Sequence, residues 1–192
     1  MPKQIDASAQ RREIRRAARR VFGRKGVQGT GLAHVARAAG MGRSSLYHYY
    51  PDKEALLRDL VHETLAEERE LFRACLRSPG PVLDRVHRLT DGCVALLDGW
   101  ASLGRLFIDL RMGDTSRFRR FFREIRSELA ETLREGQRSG EIAADLDPFL
   151  TGATLIGAID GLLIQHFLDS RALAPEALRA ELRRTVSRVL SA

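Results

Sequence analysis

The sequence predicts an all-α chain of about nine helices, arranged as an N-terminal three-helix helix-turn-helix domain and a larger C-terminal helical domain. Three observations lead there. Ala, Leu and Arg dominate, and no β-branched run exceeds a few residues, which favours helix. Apolar residues recur at i, i+3, i+4 and i+7 in segment after segment. Gly and Pro fall between those segments, where helices start and stop.

The first segment runs from about Ser8, read as its cap, to Gly26. Ile14, Ala18, Val21 and Phe22 form its apolar stripe, and Arg11, Arg12, Arg15, Arg16, Arg19 and Arg20 cover the rest. After a loop, Leu32, Val35, Ala36 and Ala39 mark a short helix. Gly40 ends it, because glycine takes the left-handed conformation without steric cost. A third helix, about Arg43 to Tyr49, restarts within two residues, which makes a helix-turn-helix. Pro51 stops it, and Asp52 caps a long fourth helix carried by Leu56, Leu57, Leu60, Val61 and Leu65. Ser78-Pro79-Gly80-Pro81 separates the fourth and fifth segments. Gly99 lies near the end of the fifth, and Gly113-Asp114 separates the sixth from the seventh. The seventh carries Phe118, Phe121, Phe122, Ile125, Leu129 and Leu133, and Gly140 ends it. Asp147 before Pro148 starts the eighth, which reaches about Leu168. Pro175 opens the ninth, with Leu178, Leu182, Val186 and Leu190 on one face. The domains are expected at residues 1–55 and 56–192.

Charge is distributed unevenly. The net charge is +7, yet residues 1–60 hold 13 Lys and Arg against 5 Asp and Glu, and the rest holds 19 against 20. A local positive field suits a polyanion, nucleic acid being the usual one. A solvated helix face is the competing reading. A membrane-surface helix fits less well, because the polar side is broad and the apolar stripe lacks bulk. Cys75 and Cys93 have no CxxC spacing or paired His nearby and read as inert thiols, in keeping with a reducing cytoplasm. No Gly-rich phosphate loop, metal-spaced His cluster or nucleophile motif appears, so no enzyme, cofactor or metal is expected. Residues 1–14 lack the apolar stretch of a signal peptide. Residues 149–164 are interrupted by Asp160 and read as too short and too polar to span a bilayer.

On the third helix, Leu46 and Tyr50 point inward, while Arg43, Ser44, Tyr47 and His48 share the opposite face. An α-helix fits the major groove and reads base edges near its N-terminus. Arg43 has the fork that matches guanine O6 and N7, and Ser44 can hydrogen-bond either base type. The stretch 30–56, with Thr30, Val35-Ala36, Ala39-Gly40, Leu46-Tyr47, Tyr50, Lys53 and Leu56 in order, resembles the signature of the tetracycline-repressor (TetR) family. The detailed resemblance covers about residues 10–60. Gly42 stands where that family often has Ser or Thr, Ser44 where it often has Gly, and Gly31 where a capping Ser or Thr is common. The resemblance implies a transcriptional repressor that binds double-stranded DNA at an inverted-repeat operator. The DNA-contacting set is then Thr30, Arg43, Ser44, Ser45, Tyr47, His48, Tyr49 and Lys53, with Thr30, Tyr47, Tyr49 and Lys53 on phosphates. Core packing is the competing reading for Tyr49 and Tyr50, and plain solvation for His48.

The resemblance also implies that the larger domain binds a small-molecule effector and dimerises. Residues 148–168 are apolar nearly all round and need cover on more than one side. A second subunit would give that cover. Residues 175–190 would complete a four-helix interface, and Gly152, Gly157 and Gly161 would allow close approach. Burial within one subunit is the alternative. Trp100, Phe107, Arg111, Phe118, Phe122, Asp160, Ile164 and Gln165 are the expected effector-binding residues, with ordinary core packing as the competing reading. Asp160 stands among apolar residues and needs a partner, which could be Arg111, a helix N-terminus, the dimer mate or a cationic ligand. The rival functions are an enzyme, a constitutive regulator without inducer, and a helical dimeric adaptor that has lost DNA binding.

Overall fold

The computed structural model describes residues 6–97, 116–169 and 171–191. They form eight helices: α1 (Ala7–Lys25), α2 (Leu32–Ala38), α3 (Arg43–Tyr49), α4 (Lys53–Leu76), α5 (Val82–Ala95), α6 (Ser116–Ser139), α7 (Pro148–Leu168) and α8 (Pro175–Leu190). Among the described residues there is no strand. The expected sixth segment lies outside the described residues, as do Trp100, Phe107 and Arg111. The described chain divides into two compact units, residues 6–64 and residues 65–97 with 116–191, and α4 is one continuous helix through the division.

In the first unit, α1 begins one residue before the expected cap. Asp6, not Ser8, is the cap, and its carboxylate accepts from the Ser8 backbone N–H at 2.9 Å. A carboxylate at the cap position reaches the free amides of the first turn, which leaves Ser8 inside the helix. Ile14, Ala17, Ala18 and Phe22 are buried along α1, and Val21 is only half-buried. The α2 end matches the expectation from Gly40. That residue sits at φ +67°, its N–H donates to the Arg37 carbonyl, and the Met41 N–H donates to the Ala36 carbonyl. Both bonds satisfy carbonyls that the helix end would otherwise leave unpaired, and they set the turn into α3. Asp52 caps α4 by accepting from the Ala55 N–H at 2.6 Å.

In the second unit, α5 packs on α8, and α6 on α7. Gly140, at φ +77°, ends α6, and Asp147 caps α7 by accepting from the N–H groups of Phe149 and Leu150. Leu178, Leu182, Val186 and Leu190 of α8 are buried within this chain. That corrects the expectation that this stripe serves an interface between subunits: α5 already covers it. A bidentate pair from Arg85 to Glu135, at 2.9 and 3.0 Å, ties α5 to α6, and Arg85 Nε also donates to the Leu76 carbonyl. The Pro148–His166 stretch is long and apolar enough, by length and composition alone, to cross a membrane, which corrects its reading as too short. Here it carries Leu155, Ile156, Ile159 and Leu163 on a buried face.

Candidate nucleic-acid interface and buried cavity

The outer face of α3 follows from one apolar anchor and one cap. Leu46 is fully buried, and Tyr50, directly after the helix, is 2% exposed. Residues four apart lie on one side, so these two turn the rest of the helix outward. Arg43, Ser44, Ser45, Tyr47 and His48 are exposed, and Tyr49 is half-buried. The Arg43 guanidinium lies 5.7 Å from the Tyr47 ring centre, and its Nη2 donates to the Tyr47 hydroxyl at 3.4 Å. An aromatic ring beneath a guanidinium limits its rotamers and keeps its donors aimed outward.

Thr30 and Lys53 meet at the loop before α2. The Thr30 hydroxyl is buried and donates to the Gly26 carbonyl at 2.7 Å. Lys53 Nζ donates to the carbonyls of Val27 and Thr30 at 3.2 and 3.3 Å. Both side chains therefore brace this loop. Gly31 offers no side-chain cap to α2, but its own N–H is satisfied by His34, whose Nδ1 accepts from it at 3.2 Å.

The arginines of α1 divide into two sets. Arg15 pairs with Asp59 at 3.0 Å and with Glu63 at 2.7 Å, and Arg19 pairs with Glu63 at 3.0 Å. The Tyr50 hydroxyl donates to Asp59, and Arg11 stacks over the Tyr50 ring at 5.2 Å. Burial and then the Asp59 hydrogen bond push the Tyr50 hydroxyl up to about 12. Burial also pushes the Asp59 carboxyl up, but the bonds from Tyr50 and Arg15 outweigh it and hold the group below the ordinary carboxylate range. The second set is turned to solvent. Arg20, Arg24, Lys25 and Arg37 line, with His34, a cleft of about 240 Å³. Residues 14–51 contain no Asp or Glu at all. This surface has the charge that a phosphate backbone requires.

The second unit encloses a narrow apolar cavity of about 10 Å³, room for about one water. Glu68 and Phe72 of α4, Cys93 of α5 and Phe121 and Ile125 of α6 line three sides. Ile156, Ile159, Asp160 and Leu163 of α7 close it. Of the expected effector-binding residues, Asp160 alone among those described lines this cavity. Phe118 and Phe122 are half-buried elsewhere on α6, and Ile164 and Gln165 are exposed. Glu68 was missed. It stands in the row Leu60, Thr64, Glu68, Phe72 and Leu76, spaced by four and buried throughout, and that spacing is the signal. Burial, and then the nearby Asp160 and Glu67 charges, push the Glu68 carboxyl up to about 8, while burial pushes Asp160 up to about 6. Burial also raises the Cys93 thiol, which lowers its thiolate fraction.

The open side of α7 forms a second surface. Leu150, Thr154, Gly157, Ile164 and Leu168 lie along it, with Leu150 at 61% and Leu168 at 67% exposure. Added Cβ atoms at Gly157 and Gly161 would meet nothing, whereas one at Gly152 would touch Leu129 of α6. Gly152 thus serves packing inside the chain, and the other two lie open.

Comparison with known proteins finds two matched regions. Residues 14–60 match the model of the tetR family of bacterial regulatory proteins, and residues 115–191 match the C-terminal model of BetI-type transcriptional repressors. The HTH-type transcriptional regulator UidR of Escherichia coli K12 is 24% identical over 98% of this chain and 97% of its own length. A transcriptional regulator from Saccharomonospora viridis, solved with choline, superposes with a TM-score of 0.84 at 21% identity, covering 96% of this chain and 99% of that one. A TetR-family regulator from Rhodococcus sp. gives 0.77 at 23% identity, over 95% and 100%. Matched at both its helix-turn-helix and its C-terminal region, the chain belongs to the TetR family of bacterial transcriptional regulators.

Proposed function

We propose that this protein is a homodimeric repressor that holds an inverted-repeat operator through α3 and releases it when a small molecule binds the second unit. The observation that carries the reading is the outward face of α3. Arg43, Ser44, Tyr47 and His48 stand exposed on a helix whose other side is anchored by Leu46, within a stretch that lacks any carboxylate. Arg43 reads a guanine, and Tyr47 and Tyr49 hold phosphates beside it. The loop braced by Thr30 and Lys53 presents its backbone amides to the same strand. The exposed stripe of α7 favours a dimer, since an apolar row along a whole helix is stable in water only when covered. Two reading helices related by a two-fold axis require two half-sites about 34–36 Å apart, or a multiple of that.

The effector reading draws on the cavity and on relatives. The Saccharomonospora viridis regulator was solved with choline, so a protein of this fold takes a small organic ligand. Selection of bound sequences from a random DNA pool tests the proposal and returns operator and symmetry together. Arg43→Ala then lowers affinity by about 1–3 kcal/mol and relaxes preference at one position in each half-site, measured by titration against single-base operator variants. Unchanged affinity and unchanged preference would remove α3 as the reader.

A further inference from the structure

Glu68 is 7% exposed, its Oε2 has no hydrogen-bond partner, and it faces the cavity together with Asp160. Neither carboxylate has a salt bridge among the described residues. Among the described residues, the groups that face Glu68 are Glu67 on its own helix, Cys93 from α5 and Asp160 from α7, while α6 offers the rings and alkyl groups of Phe121 and Ile125. A buried Glu68 beside a half-buried Asp160, with no cation near them among the described residues, is costly to ionise, and folding alone gives no reason to keep the pair. We infer that Glu68 and Asp160 are the recognition pair for an organic cation, an alkylated or primary ammonium with a small apolar body, which serves as the effector of this regulator. The inference rests on the reading of the second unit as the effector domain.

The lining decides which kind of cation. A metal ion needs several oxygen ligands to replace its hydration shell, and two carboxylates among Phe72, Phe121 and three isoleucines do not supply them. An ammonium with alkyl substituents needs one or two negative charges and apolar or aromatic walls, which these residues are. The free space equals about one water, so the ligand enters only as Phe72 and Phe121 give way. Binding is then coupled to a change of shape, and α4, which carries Glu68 and Phe72, takes part in it.

The test uses the full-length protein at pH 8.5 and a fixed set of probes: tetramethylammonium, choline, benzyltrimethylammonium and hexylammonium. The neutral choline isostere 3,3-dimethylbutan-1-ol, hexanoate, K⁺ and Mg²⁺ serve as comparisons. Thermal shift and calorimetry should find at least one organic cation that binds, and none of the comparisons. Affinity for it should fall roughly 10–100-fold in Glu68→Gln and in Asp160→Asn, the loss expected for one desolvated charge contact. The amide is nearly isosteric, so Glu68→Gln without ligand should melt at or above the wild-type temperature. In the wild type the affinity should rise between pH 6 and pH 9 as the pair ionises, and this readout does not depend on any variant. Binding of no organic cation, binding unchanged in both variants, or preference for the neutral isostere, hexanoate or a metal ion would overturn the assignment. So would a marked drop in melting temperature for Glu68→Gln, which would mean that the chain itself already supplies the partner. Operator release by a neutral or anionic molecule, with no cation bound, overturns the cation assignment and leaves the effector reading intact. Cation binding at Glu68 without operator release upholds the site and overturns the effector role assigned to it.

Discussion

Tyr50 follows α3 directly, and its environment shows how much one side chain can fix. Its ring is buried, Arg11 covers one face, and its hydroxyl joins Asp59, which Arg15 also holds. Tyr50→Phe removes one hydrogen bond to a charged group and leaves the ring in place. The expected cost is about 1–2 kcal/mol, read as a lower denaturant midpoint with an unchanged slope. The sign of its pH dependence follows from Asp59, whose carboxyl is held below its ordinary value in the folded chain. Such a group contributes stability above its unfolded pKa, near 3.9, and loses it as pH falls through the folded value. The gap between wild type and Tyr50→Phe should therefore be widest near neutral pH and close below about pH 4. The inward direction of Tyr50 was legible from its spacing of four from Leu46. Its partner was not, because Arg15, Asp59 and Glu63 pair across more than forty residues, and no local period encodes which arginine meets which carboxylate.

At the scale of the element, helix ends were the clearest text. Gly40, Asp52, Gly140 and Asp147-Pro148 each act where the sequence placed them, because caps depend on one or two neighbouring residues. The faces were less clear. Ile164 and Gln165 were expected at the effector site, but they follow Leu163 by one and two residues. A helix turns about 100° per residue, so they emerge on the open side while Leu163 faces the cavity. Glu68 was hidden for a different reason: a glutamate in a helix is ordinarily solvated, and only its place in a row of buried residues marks it out. The open side of α7 yields a direct prediction. Ile164→Arg places a charge in the proposed interface at a position half-exposed in the single chain. Light scattering at micromolar concentration should give the mass of one chain instead of two, with helical content by circular dichroism unchanged. A dimer that persists would move the interface away from α7.

At the scale of the whole molecule, the proposed regulator couples two binding reactions, and thermodynamics makes that coupling symmetric. If an effector weakens operator binding, the operator must weaken effector binding by the same factor, expected at about 5–150-fold for a coupling of about 1–3 kcal/mol. Calorimetry of the effector against free and operator-bound protein measures it, and equal affinities would rule out release by that ligand. The exposed stripe on α7 has a further consequence for the cell that makes the protein. Below the dissociation constant of the proposed dimer, the assembled form grows with the square of the amount of chain, so a doubling of synthesis raises operator occupancy about fourfold. Gene dosage and the rate of dilution at cell division then become inputs to the switch. A promoter under this proposed control would respond to expression noise as a threshold, set by a handful of apolar side chains on a single helix.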